Sequence, residues 1–456
     1  MTITISGRIA EYASSLRYSD FDKPTIEAAK ARIIDTFGCA IGAQHETPVE
    51  IASKSVQDTD GRYRSTILGT GRKVSPDIAA FVNGGMSRYF DFMDTYDAKE
   101  FSHPSDNIFP MVAVAEAEGL GGRDVLLGTV LAYEIQCRLC DAATLWKRGW
   151  DHVIYGLVSV SAAASRLMGL SVGQTEQAIN IALNSHLTMR QLRAGELSMW
   201  KAVAFSNSAR NAIFSAMLAR NGFTGPAPVF EGEMGFWKQV TGRFEIDTRK
   251  FGGKRNRFKI GQTLIKHFPA ETRAQTAIEA ALELRKVVPA EKIRSVEIGT
   301  NEGGLKIIGS GAEKWDPKTK ETADHSLPYM VAAALMDGKV DLASFTEKRY
   351  RDAKTLQFMK RVKVVERKRF TDMFNKGGTV NAADVVITAA DGKRVSKEVI
   401  YSKGHPRTPM SPAEIEAKFK SVAGRNLERG SARRVLDTIW DLEHLNDIRR
   451  LMYMVS

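Results

Sequence analysis

Apolar residues recur at spacings of three and four through most of the first half of the chain, and at spacings of two in parts of the second half. This change of period, near Gly261, constrains the fold more than any single motif does. A segment that repeats every 3.6 residues gathers its apolar positions on one side only as a helix, whereas strict alternation does so only as a strand. In residues 25–43 the positions Ile26, Ala29, Ile33 and Phe37 form one helical stripe, with Pro24 just ahead as a start signal. Residues 108–119, 124–142, 157–170, 174–184 and 202–221 carry the same pattern, divided by breaks such as Gly119, Gly121 and Gly122. Several of these segments are alanine-rich, so their backbones can approach closely, and they are apolar enough to pack on several sides. The first half therefore reads as a helical bundle.

Beyond Gly261 a helix over residues 272–286 precedes an alternating, strand-like segment at 293–298. Residues 362–365, 384–388 and 394–400 extend that texture, the last two joined across Asp391 and Gly392, and predict an antiparallel sheet with a hairpin. Helical character resumes over 325–335, and a Pro-rich hinge follows at 404–412. Ser411, Pro412 and Glu414 match an N-cap, a first-turn proline and a capping-box partner, which starts a helix towards Ser421. The expected fold is mainly α: a helical bundle that the closing helices rejoin, and a second, smaller α+β domain.

A chain of 456 residues accommodates two or three domains. The first thirty residues lack a basic segment followed by an apolar run, and no uncharged apolar stretch approaches the roughly 20 residues of a bilayer span. Three cysteines leave at least one free thiol, which suits a reducing compartment, so the expectation is a cytoplasmic protein without membrane association. The net charge of +12 favours anionic partners, and it concentrates at residues 249–259 and 360–369. Neither run interleaves aromatics with an RNA-type motif, so both read as solvated faces and no nucleic-acid partner is expected.

Residues 91–96 and 102–107 bring Asp91, Asp94, Thr95, Ser102, His103, Ser105 and Asp106 into one turn-rich connection ahead of a helix. Such loops present functional groups at helix ends, though Asp and Ser serve equally as turn formers. Lys201 follows Trp200 at the start of a long apolar helix, and Lys266 precedes Phe268 and Pro269 at the apparent domain junction. Lysines in such surroundings hold anions more strongly than surface lysines, or else snorkel to water. His152, Arg190 and Arg193 are equally open when taken alone. Cys39, Cys137 and Cys140 would suffice in number for an iron–sulfur cluster, but Cys137 and Cys140 lie in a helical pattern without the loop that cluster ligands need, which points to core packing. There is no phosphate-binding loop and no His-Glu-x-x-His, and no metal or cofactor is expected.

Taken in order, residues 91–95, 103–107, 195–201, 209–211, 222–226, 266–270 and 325–329 resemble the MmgE/PrpD family over nearly the whole chain. The resemblance implies an all-helical domain of residues 1–262 plus 405–456, an inserted α+β lid domain of residues 263–404, and a homodimer. It implies a small polycarboxylate substrate, with Asp91, Thr95, His103, His152, Lys201, Lys266 and Tyr329 in the pocket. His103 and Asp91 would form the proton-transfer pair, Lys201 and Lys266 would hold carboxylates, and His152 or Tyr329 would assist the departing oxygen. Thr95, Ser105, Arg190 and Glu271 are the expected substrate contacts. Glu271 stands where decarboxylase-like members carry histidine, as in dehydratase-like members, whereas Arg273 stands where those often have histidine. The expected activity is metal-independent dehydration of 2-methylcitrate or a related tricarboxylate, with cis-aconitate decarboxylation or dicarboxylate epimerisation as alternatives on the same fold.

Overall fold

In a computed structural model that describes residues 3–195, 197–376 and 380–456, helices occupy Lys23–Ala43, Ile108–Glu118, Gly122–Ala142, Ile154–Leu167, Val172–Ser185 and Trp200–Arg220. The chain is mainly helical, as the periodicity predicts. Glu196, within the 195–201 motif, lies outside the described residues. Several helices escape the pattern, among them Ile5–Ser15 and Pro76–Tyr89. The second carries Asn83, Gly84, Gly85 and Ser87 in its interior, all poor helix formers. They are there because of packing: a Cβ on Gly84 would stand 2.5 Å from Ser206 Oγ in the Trp200–Arg220 helix. These two helices carry Arg88 and Lys201, so their close approach sets the spacing of two site residues.

The expected capping box at Ser411 and Glu414 opens the helix Pro412–Ala423, which packs on Lys23–Ala43. Its Lys418 is buried, ion-paired to Asp35 at 2.7 Å. The same ammonium donates to the carbonyls of Phe92 (2.6 Å) and Lys266 (2.8 Å), each one residue from, or part of, the site described below. Removing the amine in Lys418→Met strands Asp35 and two carbonyls. A loss of about 1–3 kcal/mol in denaturant unfolding is expected, since a buried polar group without a partner costs that much. An unchanged midpoint would show that this clamp carries no stability.

A second apolar core, separate from the helical one, gathers residues between Phe268 and Val399. Its four-stranded sheet runs in the order Val362–Glu366, Ile293–Thr300, Ala383–Ala389, Arg394–Val399. The hairpin is antiparallel as expected, but Val362–Glu366 pairs parallel to Ile293–Thr300. That departs from the predicted antiparallel sheet. The intervening chain holds several helices, and a long helical crossover returns a strand in the same direction. The two passages between the cores run side by side, Ile265 N–H donating to Gly404 O at 3.1 Å. Gly404 has a φ of 89°, and a Cβ there would stand 1.9 Å from Ile265 O, so only glycine fits. Leu264–Ile265 in turn pairs with Asp94–Asp97, which tethers this junction to the 91–107 connection.

Among the described residues, no helix is long and apolar enough to cross a membrane. Two cations of the basic run at 360–369 are paired locally: Arg367 with Glu297 and Asp384, and Arg369 with Glu398.

Candidate active site

Asp91 ends the turn after the Pro76–Tyr89 helix with a φ of 51°, the only non-glycine positive φ among the described residues. Aspartate tolerates this region better than most residues, and strain of this kind gathers where a side chain must be aimed. Its buried carboxylate accepts from Arg88 Nη1 at 2.5 Å and from Lys266 Nζ at 2.7 Å, and Lys266 also donates to its carbonyl at 2.8 Å. Lys201 Nζ stands 3.4 Å from the other oxygen. Burial opposes ionisation of Asp91, but Arg88, Lys266 and Lys201 together hold its carboxyl well below the usual range. Burial pulls the Lys266 amine down against the pull of Asp91.

Lys201 links this group to a second one. It lies 3.4 Å from Asp324 Oδ1 and 3.3 Å from His325 Nδ1, and His325 and Asp324 are 2.5 Å apart. Lys320 completes the set at 2.9 Å from Asp324 Oδ2. Helix bundle and second core thus contribute to one buried charge network.

His103 Nδ1 is 2.9 Å from the carbonyl of Asp94. A carbonyl only accepts, so Nδ1 carries the proton and Nε2 keeps its lone pair. Asp94 is itself fixed by the Ser105 backbone N–H at 2.9 Å and by Arg32 at 3.8 Å. Burial, and then the neighbouring Arg88 and Lys266, depress the His103 pKa well below that of a free imidazole. The ring is therefore neutral near pH 7, as a general base must be.

One cavity is lined by Arg88, Asp91, His103, Lys201, Lys266 and His325, together with Phe101, Arg190, Arg193, Glu271 and Arg273. Six of its cationic side chains face two carboxylates, so it carries surplus positive charge in a buried setting. Residues 7–249 match the MmgE/PrpD N-terminal domain, and residues 268–444 match the MmgE/PrpD C-terminal domain. The chain belongs to the MmgE/PrpD family. As a family member it is 30% identical over 441 residues to a mitochondrial 2-methylcitrate dehydratase of Yarrowia lipolytica, covering 91% of this chain and 83% of the relative. It is 28% identical over 461 residues to a 2-methylcitrate dehydratase of Salmonella typhimurium (95% and 93% covered). It is also 25% identical over 479 residues to the cis-aconitate decarboxylase-like protein oryM of Aspergillus oryzae (99% and 97%). The resemblance read from the motifs is borne out.

Of the residues singled out in the MmgE/PrpD sequence, Asp91, His103, Lys201, Lys266, Arg190 and Glu271 line the cavity together. Asp91 does not hydrogen-bond His103 as a proton-transfer pair would; the Asp94 carbonyl orients the imidazole instead. His152 is fully buried behind Phe101, their rings 4.5 Å apart. Its Nε2 accepts from Arg193 Nη2 at 3.3 Å, its Nδ1 lies 3.4 Å from Asp151 without a hydrogen bond, and the ring is not part of the cavity lining, so it does not reach an oxygen held there. Tyr329 lies within the second core, its hydroxyl donating to Ser344 O. Thr95 Oγ1 donates to Ser102 O at 3.3 Å, and Ser105 acts through its backbone on Asp94, so both shape the loop from behind. Glu271 is occupied by Arg273, which donates from its backbone and from Nη1 at 2.6 Å each.

Sequence reasoning misses Arg88, Arg273, Asp324 and His325 as site residues. His325 has a signal in the 325–329 motif, where the tyrosine is the more conspicuous residue; residue 325 precedes the N-cap Ser326 and projects from the start of the helix Leu327–Asp337 into the cavity, whereas Tyr329 is inside that helix. Arg88 lies on the helix that the periodicity does not reveal.

Asp91, Asp324 and His325 offer ligand atoms within 4.8 Å of one another. The Lys201 ammonium already stands 3.3 to 3.4 Å from all three, so a divalent cation would have to displace a buried lysine. The three cysteines are unpaired and buried, Cys39 in a different apolar cluster from Cys137 and Cys140, so the thiols do not converge.

Burial lowers the pKa of His103, His152 and His325 alike. Between the unfolded value of about 6.5 and the lower folded values, the unfolded chain binds more protons, so acid favours unfolding. Stability is therefore expected to be full above about pH 6.5 and to fall progressively below it. Denaturant midpoints measured from pH 8 to pH 5 check this; a flat series would contradict the neutral, buried histidines.

Proposed function

We propose that this protein is a carbon–oxygen lyase that dehydrates 2-methylcitrate or a closely related small tricarboxylate. The observation that carries the reading is a single buried cavity in which a neutral histidine stands among six cationic side chains. The names of the relatives from Yarrowia lipolytica and Salmonella typhimurium support the same chemistry.

In the proposed reaction, His103 Nε2 takes the proton from a carbon next to a carboxylate. The electron pair passes into that carboxylate, whose added charge Lys201 and Lys266 stabilise. Collapse forms the carbon–carbon double bond and breaks the carbon–oxygen bond. The departing hydroxyl takes a proton from the Lys201 ammonium, which Asp324 and His325 hold in place, and leaves as water. His103 then returns its proton to solvent and Lys201 takes one back from solvent, which restores both groups. Lysine and arginine supply all the positive charge this sequence needs, so we assign no metal to it.

Residues 263–404 act, in this reading, as a lid on the bundle of residues 1–262 and 405–456. Support comes from Lys266, Arg273 and His325, which reach the cavity from the lid side and meet Asp91 and Lys201 there. We further propose a homodimer, for which exposed Met189, Met199 and Trp200 beside the cavity supply apolar area. A cytoplasmic setting suits the three unpaired thiols.

Proton NMR in heavy water, on separate incubations with 2-methylcitrate, citrate, cis-aconitate and iminodisuccinate, tests the reading. Loss of 2-methylcitrate with growth of an alkene product is expected. Turnover of cis-aconitate to a decarboxylated product, or epimerisation of iminodisuccinate, with 2-methylcitrate untouched would replace it.

A further inference from the structure

The charges around the cavity fall into two groups. One is centred on Asp91 and Asp324, and holds Arg88, Lys266, Lys201 and Lys320. The other is made of guanidiniums. Arg193 Nε pairs with Asp151 Oδ2 at 2.7 Å, and Arg190 Nη1 lies 4.0 Å from the same oxygen. Arg273 arrives from the second core, pairs with Glu271 at 2.6 Å and lies over the ring of Phe101 at 5.7 Å.

His103 stands between these groups. Its ring is 5.6 Å from both Phe101 and His152, which carry the guanidinium side, and the charges of Arg88 and Lys266 from the first group also act on it. Arg190 Nη1 and Arg273 Nε are both buried and have no hydrogen-bond partner among the described residues, and Arg273 is only 8% exposed. Three guanidiniums pair with only two carboxylates, Asp151 and Glu271, while Asp97 and Glu100 act on them from further off, and the buried N–H groups left over form a site built for one more anionic group. Planar guanidinium donors match a carboxylate in two-point contact, which an ammonium cannot do.

We propose that Arg273, with Arg190 and Arg193, is a specificity-determining clamp that takes a carboxylate of the substrate distinct from the one held by Lys201 and Lys266. The substrate class is then an acid with carboxylates on both sides of the carbon facing His103. This rests on the lyase reading only for its reaction; the clamp itself is a binding claim.

Calorimetric binding of unreactive acids separates the two. Tricarballylate has three carboxylates and no hydroxyl, and butyrate has a single carboxylate, which Lys201 and Lys266 can hold without the clamp. The full-length wild type is expected to bind tricarballylate at least tenfold more tightly than butyrate, and tenfold more tightly than tricarballylate with one terminal carboxylate converted to a carboxamide. In Arg273→Gln the affinity for tricarballylate is expected to fall roughly 10- to 100-fold, the range of a charge-assisted hydrogen bond, with butyrate affinity unchanged. Equal loss for both acids, or no loss for either, would overturn the clamp. Should Arg273→Gln fail to fold, the wild-type carboxamide comparison stands by itself, and equal affinity for acid and amide would overturn the proposal. Arg273-dependent binding in an enzyme that dehydrates no tricarboxylate would keep the clamp and refute the lyase reading instead.

Discussion

His103→Asn is expected to lower kcat on 2-methylcitrate by about 10²- to 10⁴-fold, the range for removing a general base, while leaving KM and the unfolding midpoint close to wild type. The fold should tolerate the change because the asparagine amide can replace Nδ1 as donor to the Asp94 carbonyl, which lies 2.9 Å from that nitrogen. What is lost is the Nε2 lone pair. The sign of the pH dependence comes from burial and the adjacent cations, which depress the imidazole pKa. The base form of His103 then persists below the ordinary histidine range, so kcat/KM should hold through about pH 6.5, where a free imidazole is about half protonated, and fall only at more acid pH. Steady-state rates across pH 5 to 8 check both statements. A variant with near-normal kcat would remove His103 from the reaction.

Asp91→Asn is expected to act on stability as strongly as on rate. The carboxylate is the shared partner of Arg88, Lys266 and Lys201, at 2.5, 2.7 and 3.4 Å, and all four groups are buried. A neutral amide leaves Lys266 without a carboxylate and takes one of two from Lys201, which keeps Asp324, and from Arg88, which keeps Asp106, and breaking a buried pair from one side costs about 3–5 kcal/mol. The deficit should itself depend on pH. Because the folded pKa of Asp91 is depressed, its contribution is fully present above the unfolded value near 3.9 and vanishes as pH falls through the lower folded value. Wild type and variant should therefore differ most near neutrality and converge in acid. Adding Lys266→Met should recover part of the loss, since it removes one stranded charge, and that non-additivity is the signature of a shared network. Equal stability of wild type and Asp91→Asn at pH 7 would mean that the cations are neutralised elsewhere.

Periodicity carried the helices and the hairpin because their faces are either buried or not, and a face leaves a repeat in the sequence. It missed Pro76–Tyr89, whose glycines and small polar residues answer to the neighbouring helix rather than to solvent. Strand direction at Val362–Glu366 was likewise unreadable, since alternation is the same for parallel and antiparallel pairs. Within the site, Asp91, His103, Lys201 and Lys266 were legible through the family's motifs. Tyr329 was misplaced within its own motif, because a four-residue offset at a helix start separates a cavity-facing His325 from a core-facing tyrosine. His152 was placed near the right neighbours, but the use of its nitrogen by Arg193 depends on contacts forty-one residues apart in the chain. Arg88 had no local signal, because its importance lies in partners brought together only by folding.

A crystal structure of His103→Asn soaked with 2-methylcitrate asks the decisive question directly. One carboxylate is expected within about 3.2 Å of the Lys201 and Lys266 amines, with the acidic carbon facing residue 103. Ligand bound on an outer surface, with Lys201 and Lys266 still paired only to Asp91 and Asp324, would contradict a shared carboxylate cavity between bundle and second core.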